Sequence, residues 1–262
     1  MLSAQNVALQ IDGKSILNQI SLDVEASRVL AVVGPNGAGK SSICRILSGE
    51  TEPTSGTVSL NDRSLKDYSR KEQAKLRAVL PQQSSLEFNF KVLDVVLMGR
   101  SPHSSAVFTK DDIDLAGQAL RMADVEHLAQ RFYPGLSGGE RQRVHLARVL
   151  AQIWNSDLET TRYLLLDEPT AALDLSHQHS TLSIAQKLSR EQGIGVMIVL
   201  HDLNLAALYA DVIVVLQDGS IRASGSPSEV LRADLLEEVF NISVTIQKHP
   251  VYRDCPLVIA SN

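Results

Sequence analysis

The stretch that decides the fold is GPNGAGKSS, at residues 34–42. It follows the apolar run VLAVV (29–33) and precedes the segment ICRILSG (43–49), whose apolar residues recur at helical spacing. A short continuous apolar run is typical of a buried strand in a parallel sheet, and the periodic segment predicts a helix. The stretch is therefore predicted to be a strand-to-helix turn, in which glycines let the backbone wrap closely around a ligand.

The turn matches the pattern G-x-x-x-x-G-K-[ST] from Gly34 to Ser41, which is typical of a loop that binds a polyphosphate. Backbone N–H groups and the positive end of the following helix attract the phosphates. We expect Lys40 to contribute its charge at the β- and γ-phosphates and the Ser41 hydroxyl to ligate Mg²⁺. A flexible glycine loop is the alternative, and the flanking strand and helix argue against it. The expected phosphate-binding residues are Gly34, Pro35, Asn36, Gly37, Ala38, Gly39, Lys40, Ser41 and Ser42.

A pair of carboxylates ends a second buried run, in YLLLDEPT (163–170). Ligands of parallel α/β sheets bind at the carboxyl ends of the strands, where this pair is expected. Asp167 suits Mg²⁺, directly or through water, and Glu168 suits general-base work on an attacking water. A solvated strand end before a turn is the alternative, which the upstream phosphate loop disfavours.

Buried runs alternate with helical patterns along much of the chain. Besides 29–33 and 163–167, such runs occur at VMIVL (196–200) and VIVVL (212–216). This alternation predicts an α/β fold with a mostly parallel central sheet covered by helices. The first residues differ, because two strand patterns flank Asp12-Gly13 and predict an antiparallel hairpin.

The middle of the chain, from about residue 84 to 160, contains no comparable strand pattern. Thr109 with Asp112 predicts a capping box, and a long amphipathic helix is expected from Gly138 onward. We therefore predict one domain, 1–262, in which a helical subdomain (84–160) is inserted between two parts of an α/β core (1–83 and 161–262). After a hairpin around Asp218-Gly219, short helices are expected, the first beginning at Ser226-Pro227.

Composition limits the function classes. The 262 residues are 44% hydrophobic and 21% charged, which is ordinary for a globular cytosolic protein. No apolar run approaches the roughly 18 residues that a membrane span needs, and the first residues do not form a signal-peptide pattern. The net charge of -5 does not favour nucleic acid as a partner. Cys44 and Cys255 are too few for a disulfide framework and too far apart for a zinc site.

LSGGE, at residues 136–140, narrows the family, because most proteins with a phosphate loop lack it. With it, the chain strongly resembles the ATP-binding cassette (ABC) ATPases along nearly its whole length. The motifs that carry the resemblance, in chain order, are GPNGAGKSS (34–42), LPQQ (80–83), LSGGERQRV (136–144), YLLLDEP (163–169), AALD (171–174) and VLHD (199–202). The resemblance implies a P-loop NTPase fold with an antiparallel β part and a helical subdomain, and an ATPase that uses ATP and Mg²⁺.

The resemblance also implies that each ATP is shared between two copies of the chain. Ser137, Gly138 and Gly139 offer a hydroxyl and close backbone approach at a helix N-terminus, which makes a second anion site. In this family the phosphate loop of one chain faces the LSGGE of the other. A head-to-tail homodimer with two identical sites is therefore expected.

Further roles follow by position from the resemblance. Gln82 resembles the glutamine that senses Mg²⁺ and the γ-phosphate, although the adjacent Gln83 is an alternative. His201 resembles the histidine that contacts the γ-phosphate and orients the water, and Asp174 resembles an aspartate at the dimer contact. The expected catalytic residues are Glu168, His201 and Gln82, and the expected metal ligands are Ser41, Gln82 and Asp167.

One departure from the family concerns adenine. The family usually stacks an aromatic residue on the base near the end of the first strand, where this chain has about Ile11. Apolar contact could persist there without stacking. Tyr68 or another group is the alternative.

Three stretches resemble the ATPase subunits of bacterial importers of iron-siderophores, heme and cobalamin: LMGRSPH (97–103), ALDLSHQH (172–179) and HDLNLAALYAD (201–211). Trp154 and the long segment before YLLLDEP make the hemin importers the best match, with iron-siderophore and cobalamin importers as alternatives. The implied partners are two membrane-spanning permease subunits and, indirectly, a periplasmic substrate-binding protein. The implied location is the cytoplasmic face of the bacterial inner membrane.

Several alternatives remain. His177 and His179 suggest heme or metal ligands, but residues two apart do not share a helix face. Phe88 and Phe90 could pack on a partner helix or belong to the core. The competing function classes are an ABC ATPase that acts on DNA or ribosomes, a small-molecule kinase and a non-catalytic nucleotide switch.

Overall fold

The structure is a computed structural model that describes residues 1–82, 88–104, 107–154, 160–252 and 254–261. The strands are β1 (Leu2–Ile11), β2 (Lys14–Val24), β3 (Val29–Val33), β4 (Ser55–Leu60), β5 (Arg63–Ser64), β6 (Arg77–Leu80), β7 (Tyr163–Asp167), β8 (Gly195–Val199), β9 (Val212–Gln217), β10 (Ser220–Gly225), β11 (Val244–Lys248) and β12 (Pro256–Ala260). The α-helices are α1 (Lys40–Leu47), α2 (Arg70–Leu76), α3 (Val92–Leu97), α4 (Lys110–Met122), α5 (Gly138–Ile153), α6 (Leu175–Gln192), α7 (Leu203–Tyr209), α8 (Pro227–Val230) and α9 (Ala233–Phe240).

The central sheet has the strand order β10-β9-β3-β8-β7-β6. Neighbours from β9 to β6 pair in parallel, and only β10 runs antiparallel to its neighbour. Every residue of β3, β7 and β8 is buried, as the continuous apolar runs predict. The predicted α/β fold with a mostly parallel sheet is confirmed.

A separate antiparallel sheet, ordered β2-β1-β4-β5, contains the predicted N-terminal hairpin. Ile11 pairs with Lys14 across the two-residue turn, where Asp12 and Gly13 both have positive φ. Tight hairpin turns favour such residues because the left-handed region is open to Asp and Gly. This sheet and one face of the central sheet share a core with the buried face of α1.

The helices α3, α4 and α5 follow β6 and precede β7 in the sequence. They pack against one another. The predicted capping box forms at the start of α4, where Thr109 and Asp112 exchange side-chain and backbone hydrogen bonds. The predicted apolar face of α5 is buried, from Val144 to Leu150. Among the described residues, no helix combines the length and apolar character needed to cross a membrane.

Several strands escaped the sequence analysis, among them β4, β5, β6 and the pair β11 and β12. Strand β6 is only RAVL and opens on an arginine, so it lacks the long apolar run by which β3 and β7 are recognised. The C-terminal hairpin of β11 and β12 has only one buried residue, Val244, and its burial pattern does not alternate. The predicted hairpin around Asp218-Gly219 and the helix that starts at Ser226-Pro227 are both present.

Candidate active site

Four parallel strands bring the expected site residues to one edge of the sheet. The loop 34–39 follows β3, Gln82 follows β6, Asp167 and Glu168 end β7, and His201 follows β8. Because β3, β8, β7 and β6 are consecutive parallel neighbours, their carboxyl ends lie side by side. Residues that are up to 167 positions apart in the chain therefore meet at this edge.

The loop is held closely against its neighbours at two glycines. A Cβ at Gly34 would collide with the carbonyl oxygen of Leu216, at the end of β9. Gly39 has φ +99°, and a Cβ there would meet the side chain of Leu17 on β2. Glycine is required at both positions, so the fold fixes the path of the backbone around the expected phosphate site.

Lys40 begins α1 and is only 5% exposed. Its Nζ donates hydrogen bonds to the carbonyl oxygens of Gly34 (2.8 Å) and Pro35 (2.9 Å). Burial lowers the pKa of Lys40, and the nearby charges of Glu168 and Asp167 oppose that shift. The ammonium group thus lies against the loop, at the N-terminus of the helix where an anion is favoured.

Ser41 and Asp167 meet next to the loop. The Ser41 Oγ donates to the Asp167 Oδ1 at 3.1 Å, and Asp167 is buried. Burial raises the pKa of Asp167, while the hydrogen bond from Ser41 lowers it. A hydroxyl and a carboxylate oxygen in contact are hard oxygen donors of the kind that Mg²⁺ takes in proteins. The residues present therefore fit the ion that the family implies.

Glu168 contacts the two other expected catalytic residues. Its Oε1 lies 2.6 Å from the Nε2 of His201, and its Oε2 accepts a hydrogen bond from the Nε2 of Gln82 at 2.8 Å. The Glu168 side chain is 12% exposed and that of His201 is 47% exposed. Glu168 also has φ +52°, in the left-handed region that few non-glycine residues occupy. A sparsely populated backbone conformation thus places the Glu168 carboxylate between the Gln82 amide and the His201 imidazole.

The LSGGE segment forms a second candidate anion site, at the start of α5. Ser137 is the N-cap residue, and its backbone N–H donates to the Glu140 carboxylate at 2.7 Å in a capping box. Ser137 and Gly138 are exposed, and a Cβ on Gly138 would meet no atom within 4 Å. In the part of the chain that the structure describes, no hydrogen bond or ion pair joins these residues to the loop 34–42.

Asp174 also lies outside the cluster around Glu168. It is the N-cap residue of α6, where its carboxylate accepts a hydrogen bond from the backbone N–H of His177. It is exposed, and the preceding residues Ala172 and Leu173 approach Gly139. The structure therefore brings Asp174 and LSGGE close together, and among the described residues no hydrogen bond or ion pair joins either of them to the phosphate loop of the same chain.

The candidate groups for adenine differ in their surroundings. Ile11 is 49% exposed at the end of β1. The Tyr68 hydroxyl donates to the Leu60 carbonyl, and the Arg63 guanidinium lies 4.4 Å from the centre of the Tyr68 ring. Tyr68 is thus engaged within the antiparallel sheet, while Ile11 offers apolar surface to solvent.

The two histidines that suggest a heme or metal site have other partners. The Nδ1 of His177 bonds to Asp174 and that of His179 to the Tyr209 hydroxyl at 2.8 Å. Of the two phenylalanines, Phe88 is 70% exposed and Phe90 packs against the core. Gln83, the alternative to Gln82, lies outside the described residues.

Sequence reasoning missed Arg77, the first residue of β6. Its guanidinium donates to the carbonyl oxygens of Leu47 (2.9 Å) and Ser48, at the C-terminus of α1, and to Gln73. Burial lowers the pKa of Arg77 to about 10. The arginine satisfies carbonyl oxygens at the end of the helix that carries Lys40 and Ser41. In the sequence, a charged residue at the start of the short apolar run RAVL was the feature that could have identified it.

Comparisons with known proteins agree with this geometry. Residues 17–171 match the family model described as ABC transporter. The chain is 50% identical to the hemin import ATP-binding protein HmuV of Gloeobacter violaceus, over 99% of this chain and 94% of the relative. It is 48% identical to the protein of the same name from Pseudomonas aeruginosa, over 99% and 100% of the two chains.

Solved structures give the same result. An inward-facing metal-chelate type ABC transporter matches with a TM-score of 0.82 and 29% identity, covering 100% of this chain and 97% of that one. A dimeric bacterial ABC transporter cassette matches with a TM-score of 0.76 and 27% identity, covering 87% and 99% of the two chains.

Proposed function

Because the chain belongs to the ABC transporter family of ATP-binding proteins, we propose that it is the ATPase subunit of a bacterial importer and that the imported cargo is hemin. The observation that carries the ATPase proposal is the Gln82–Glu168–His201 contact beside the loop 34–42. A nucleotide switch that does not hydrolyse ATP would have no need of a carboxylate in this arrangement.

ATP binding begins at the loop. The backbone N–H groups of residues 34–42 and the Lys40 ammonium would hold the β- and γ-phosphates, with Lys40 exchanging carbonyl contacts for phosphate oxygens. Ser41 and Asp167 would hold Mg²⁺, with Gln82 as a further ligand. When bound, the ion neutralises charge on the phosphates and raises the reactivity of the γ-phosphate.

Hydrolysis then depends on Glu168. Its carboxylate would accept a proton from the attacking water, a role that requires an oxygen released from Gln82 or His201. His201 is exposed, so its ring can turn from Glu168 toward a γ-phosphate. The contact among these three residues is thus a resting arrangement from which nucleotide would release the base.

We further propose that the working site is shared by two copies of the chain. Ser137 and Gly138 are exposed to solvent at the N-terminus of α5, where the first backbone N–H groups of a helix have no partner within the helix, and Glu140 accepts only that of Ser137. The loop of a second copy would place a γ-phosphate there, and Asp174 would lie at the same contact. The dimeric form of the cassette at 27% identity supports this proposal.

Coupling to transport would use the helical part. Residues 84–160 would turn relative to the core, 1–83 and 161–262, when Gln82 leaves Glu168 for the nucleotide. Phe88 follows Gln82 by six positions and is exposed, which suits contact with a permease subunit. The assembly would contain two permease subunits at the cytoplasmic face of the inner membrane and would receive cargo from a periplasmic binding protein.

The ATPase role is tested by Glu168→Gln. We expect the variant to bind ATP, to lose at least about 100-fold in turnover because the general base is absent, and to accumulate as a dimer with ATP and Mg²⁺. Glu126→Gln, at a surface ion pair with Arg121, is the matched control and should keep wild-type turnover. Undiminished phosphate release by the Glu168→Gln variant would show that Glu168 is not the general base.

The cargo is tested by reconstitution. The chain is purified with its permease subunits, placed in proteoliposomes, and assayed for ATP-dependent uptake of hemin, a ferric siderophore and cobalamin. Hemin uptake that stops in the Glu168→Gln variant supports the proposal, and uptake of another cargo instead overturns it. Phosphate release without any acceptor compound separates the ATPase from a small-molecule kinase.

A further inference from the structure

The C-terminal hairpin of β11 and β12 is hydrogen-bonded to α7 through the side chain of Asn204. The Asn204 Nδ2 donates to the carbonyl oxygen of Val258 at 3.0 Å, and its Oδ1 accepts from the backbone N–H of Val258 at 2.8 Å. Strand β12 is an edge of a two-stranded sheet, and the N–H and C=O of one strand residue point to the same side. Both groups of Val258 therefore face away from β11, and the Asn204 amide pairs them as a third strand would.

Helix α7 needs such contacts because it is short. It has seven residues, which are too few for a stable isolated helix, so its position depends on its neighbours. Asn204 lies in the first turn, next to the C-terminal hairpin. At the other end, the Gln186 Nε2 on α6 donates to the Tyr209 carbonyl oxygen at 3.2 Å. The two ends of α7 are thus bonded to different elements.

The start of α7 also fixes the backbone next to His201. The following residue, Asp202, is the N-cap of α7, and its Oδ1 accepts from the backbone N–H of Asn204 at 2.7 Å. The preceding residue, Leu200, donates its backbone N–H to the carbonyl oxygen of Val32 in β3 at 3.1 Å. The backbone of His201 therefore lies between a strand end held in the sheet and a helix start held by the C-terminal hairpin.

The His201 side chain is 47% exposed, and its Nε2 lies 2.6 Å from the Oε1 of Glu168. Because few neighbours pack around a half-exposed ring, the path of the backbone largely decides where the ring can reach. A displacement of about 1 Å at a catalytic group can cost about 100-fold in rate.

We propose that Asn204 is a positioning residue: by bonding α7 to the C-terminal hairpin, it fixes the backbone at His201 so that the imidazole reaches Glu168 and the γ-phosphate of bound ATP. The inference rests on the proposed catalytic role of His201. It gives the C-terminal hairpin a part in hydrolysis, although the hairpin itself contributes no group to the candidate site.

The effect should fall on turnover rather than on ATP binding, because the phosphate loop follows β3 and is not part of α7 or of the C-terminal hairpin. Asn204→Ala should lower kcat about tenfold and leave the KM for ATP within about twofold of wild type. Val258→Pro breaks the same contact from the hairpin side, since it removes the N–H that donates to Asn204. Proline is tolerated on edge strands, and this N–H lies outside the ladder with β11, so the hairpin should persist.

The experiment measures kcat and KM for ATP with the full chain assembled with its permease subunits. Val258→Ala keeps the backbone N–H and is the matched control for the loss of the valine side chain. Gln186→Ala removes an amide bond to the other end of α7 and controls for a general loosening of the helix. Both controls should keep the wild-type kcat within about twofold. Thermal melts of all the variants report whether they fold, and Val258→Pro carries the test if Asn204→Ala does not.

A double-mutant cycle with His201→Ala separates positioning from a general loss of stability. If Asn204 acts through His201, adding Asn204→Ala to His201→Ala should lower the single-turnover rate of phosphate release by less than about twofold. A merely structural role would multiply the two losses.

Three results would overturn the role of Asn204 while leaving the proposed site intact. They are a wild-type kcat in Asn204→Ala, a loss in Asn204→Ala that Val258→Pro does not share, and losses that multiply in the double variant. If His201→Ala itself keeps full turnover, the proposed catalytic role of His201 fails, and the positioning role of Asn204 fails with it.

Discussion

At the residue scale, burial disfavours the ionised form of the Asp167 carboxylate. The folded chain raises its pKa, so the folded state holds the proton more tightly than the unfolded state does. Stability from this group is therefore present at low pH and is lost as pH rises through the folded-state pKa. At neutral pH the buried charge destabilises the nucleotide-free protein, which is a cost that a bound cation would remove.

We therefore predict that Asp167→Asn stabilises the nucleotide-free protein at pH 7, because Asn keeps an acceptor for Ser41 without a charge. The gain in melting temperature over wild type should shrink as pH falls toward the carboxyl range. The same variant should lose Mg²⁺-dependent ATP turnover by about 100-fold or more. Thermal melts from pH 5 to 8 and a phosphate-release assay check both effects, and an unchanged melt with full turnover would contradict them.

Single residues also show how much of the candidate site could be predicted from the sequence. The loop residues and the Asp167–Glu168 pair were predictable because spacing in a motif fixes residue types along one short segment. The contacts of Glu168 with Gln82 and His201 were not, because they depend on side-chain conformations and on a φ of +52° that no local pattern specifies. The sequence left Tyr68 as an alternative group for adenine, and only the structure shows its hydrogen bond to Leu60 and the Arg63 guanidinium over its ring.

At the element scale, the C-terminus of α1 depends on Arg77. Replacement by methionine would keep much of the side-chain volume but leave the Leu47 and Ser48 carbonyls without their buried donor. We predict a loss of about 2–4 kcal/mol in the free energy of unfolding, with weaker ATP binding because α1 carries the loop. Urea unfolding measures the first effect. Arg45→Met, at an exposed position on the same helix, is the control and should change stability by less than about 0.5 kcal/mol.

The N-terminus of α5 supports a second prediction at this scale. Gly138→Asp adds a side chain where no atom lies within 4 Å, and an acidic residue suits the first turn of a helix. The variant should therefore fold with unchanged or slightly higher stability and still bind ATP. Its turnover should fall by at least about 100-fold, because the new charge would face the γ-phosphate of a second copy.

Gly117→Asp places the same charge within α4 and serves as the control for charge alone, since its Cβ would meet only the end of Arg121 at 3.8 Å. Full ATPase activity of Gly138→Asp would contradict a phosphate site at the start of α5.

Elements themselves were predicted unevenly. Strands β3, β7, β8 and β9 were recognisable because a parallel strand that is buried on both faces must be apolar throughout. Strand β6 lies at the sheet edge and opens on Arg77, so the same signal is diluted. The hairpin of β11 and β12 is mostly half-buried or exposed, and its position is set by tertiary contacts such as the Asn204 side chain bonding to Val258.

At the scale of the whole molecule, the two candidate anion sites of one chain lie beside different residues. The loop 34–42 lies beside Asp167 and Glu168, whereas the start of α5 lies beside Ala172 and Leu173. A sequence cannot distinguish two sites that meet within one chain from two that meet between chains, because both arrangements contain the same motifs. Among the residues that the structure describes, no hydrogen bond or ion pair joins the start of α5 to the loop 34–42, and this favours a shared site.

The central claim is that each working nucleotide pocket needs the loop of one chain and the LSGGE of another, and mixing two inactive variants tests it most directly. Lys40→Ala disables the loop and Gly138→Asp disables the LSGGE site, so each alone should be inactive. In a mixed dimer, one pocket combines an intact loop with an intact LSGGE site. We predict that 1:1 mixing restores up to about a quarter of the wild-type ATPase rate per chain, since half the dimers are mixed and each has one good pocket. A mixture that stays as inactive as its components, although the two chains associate, would contradict the claim.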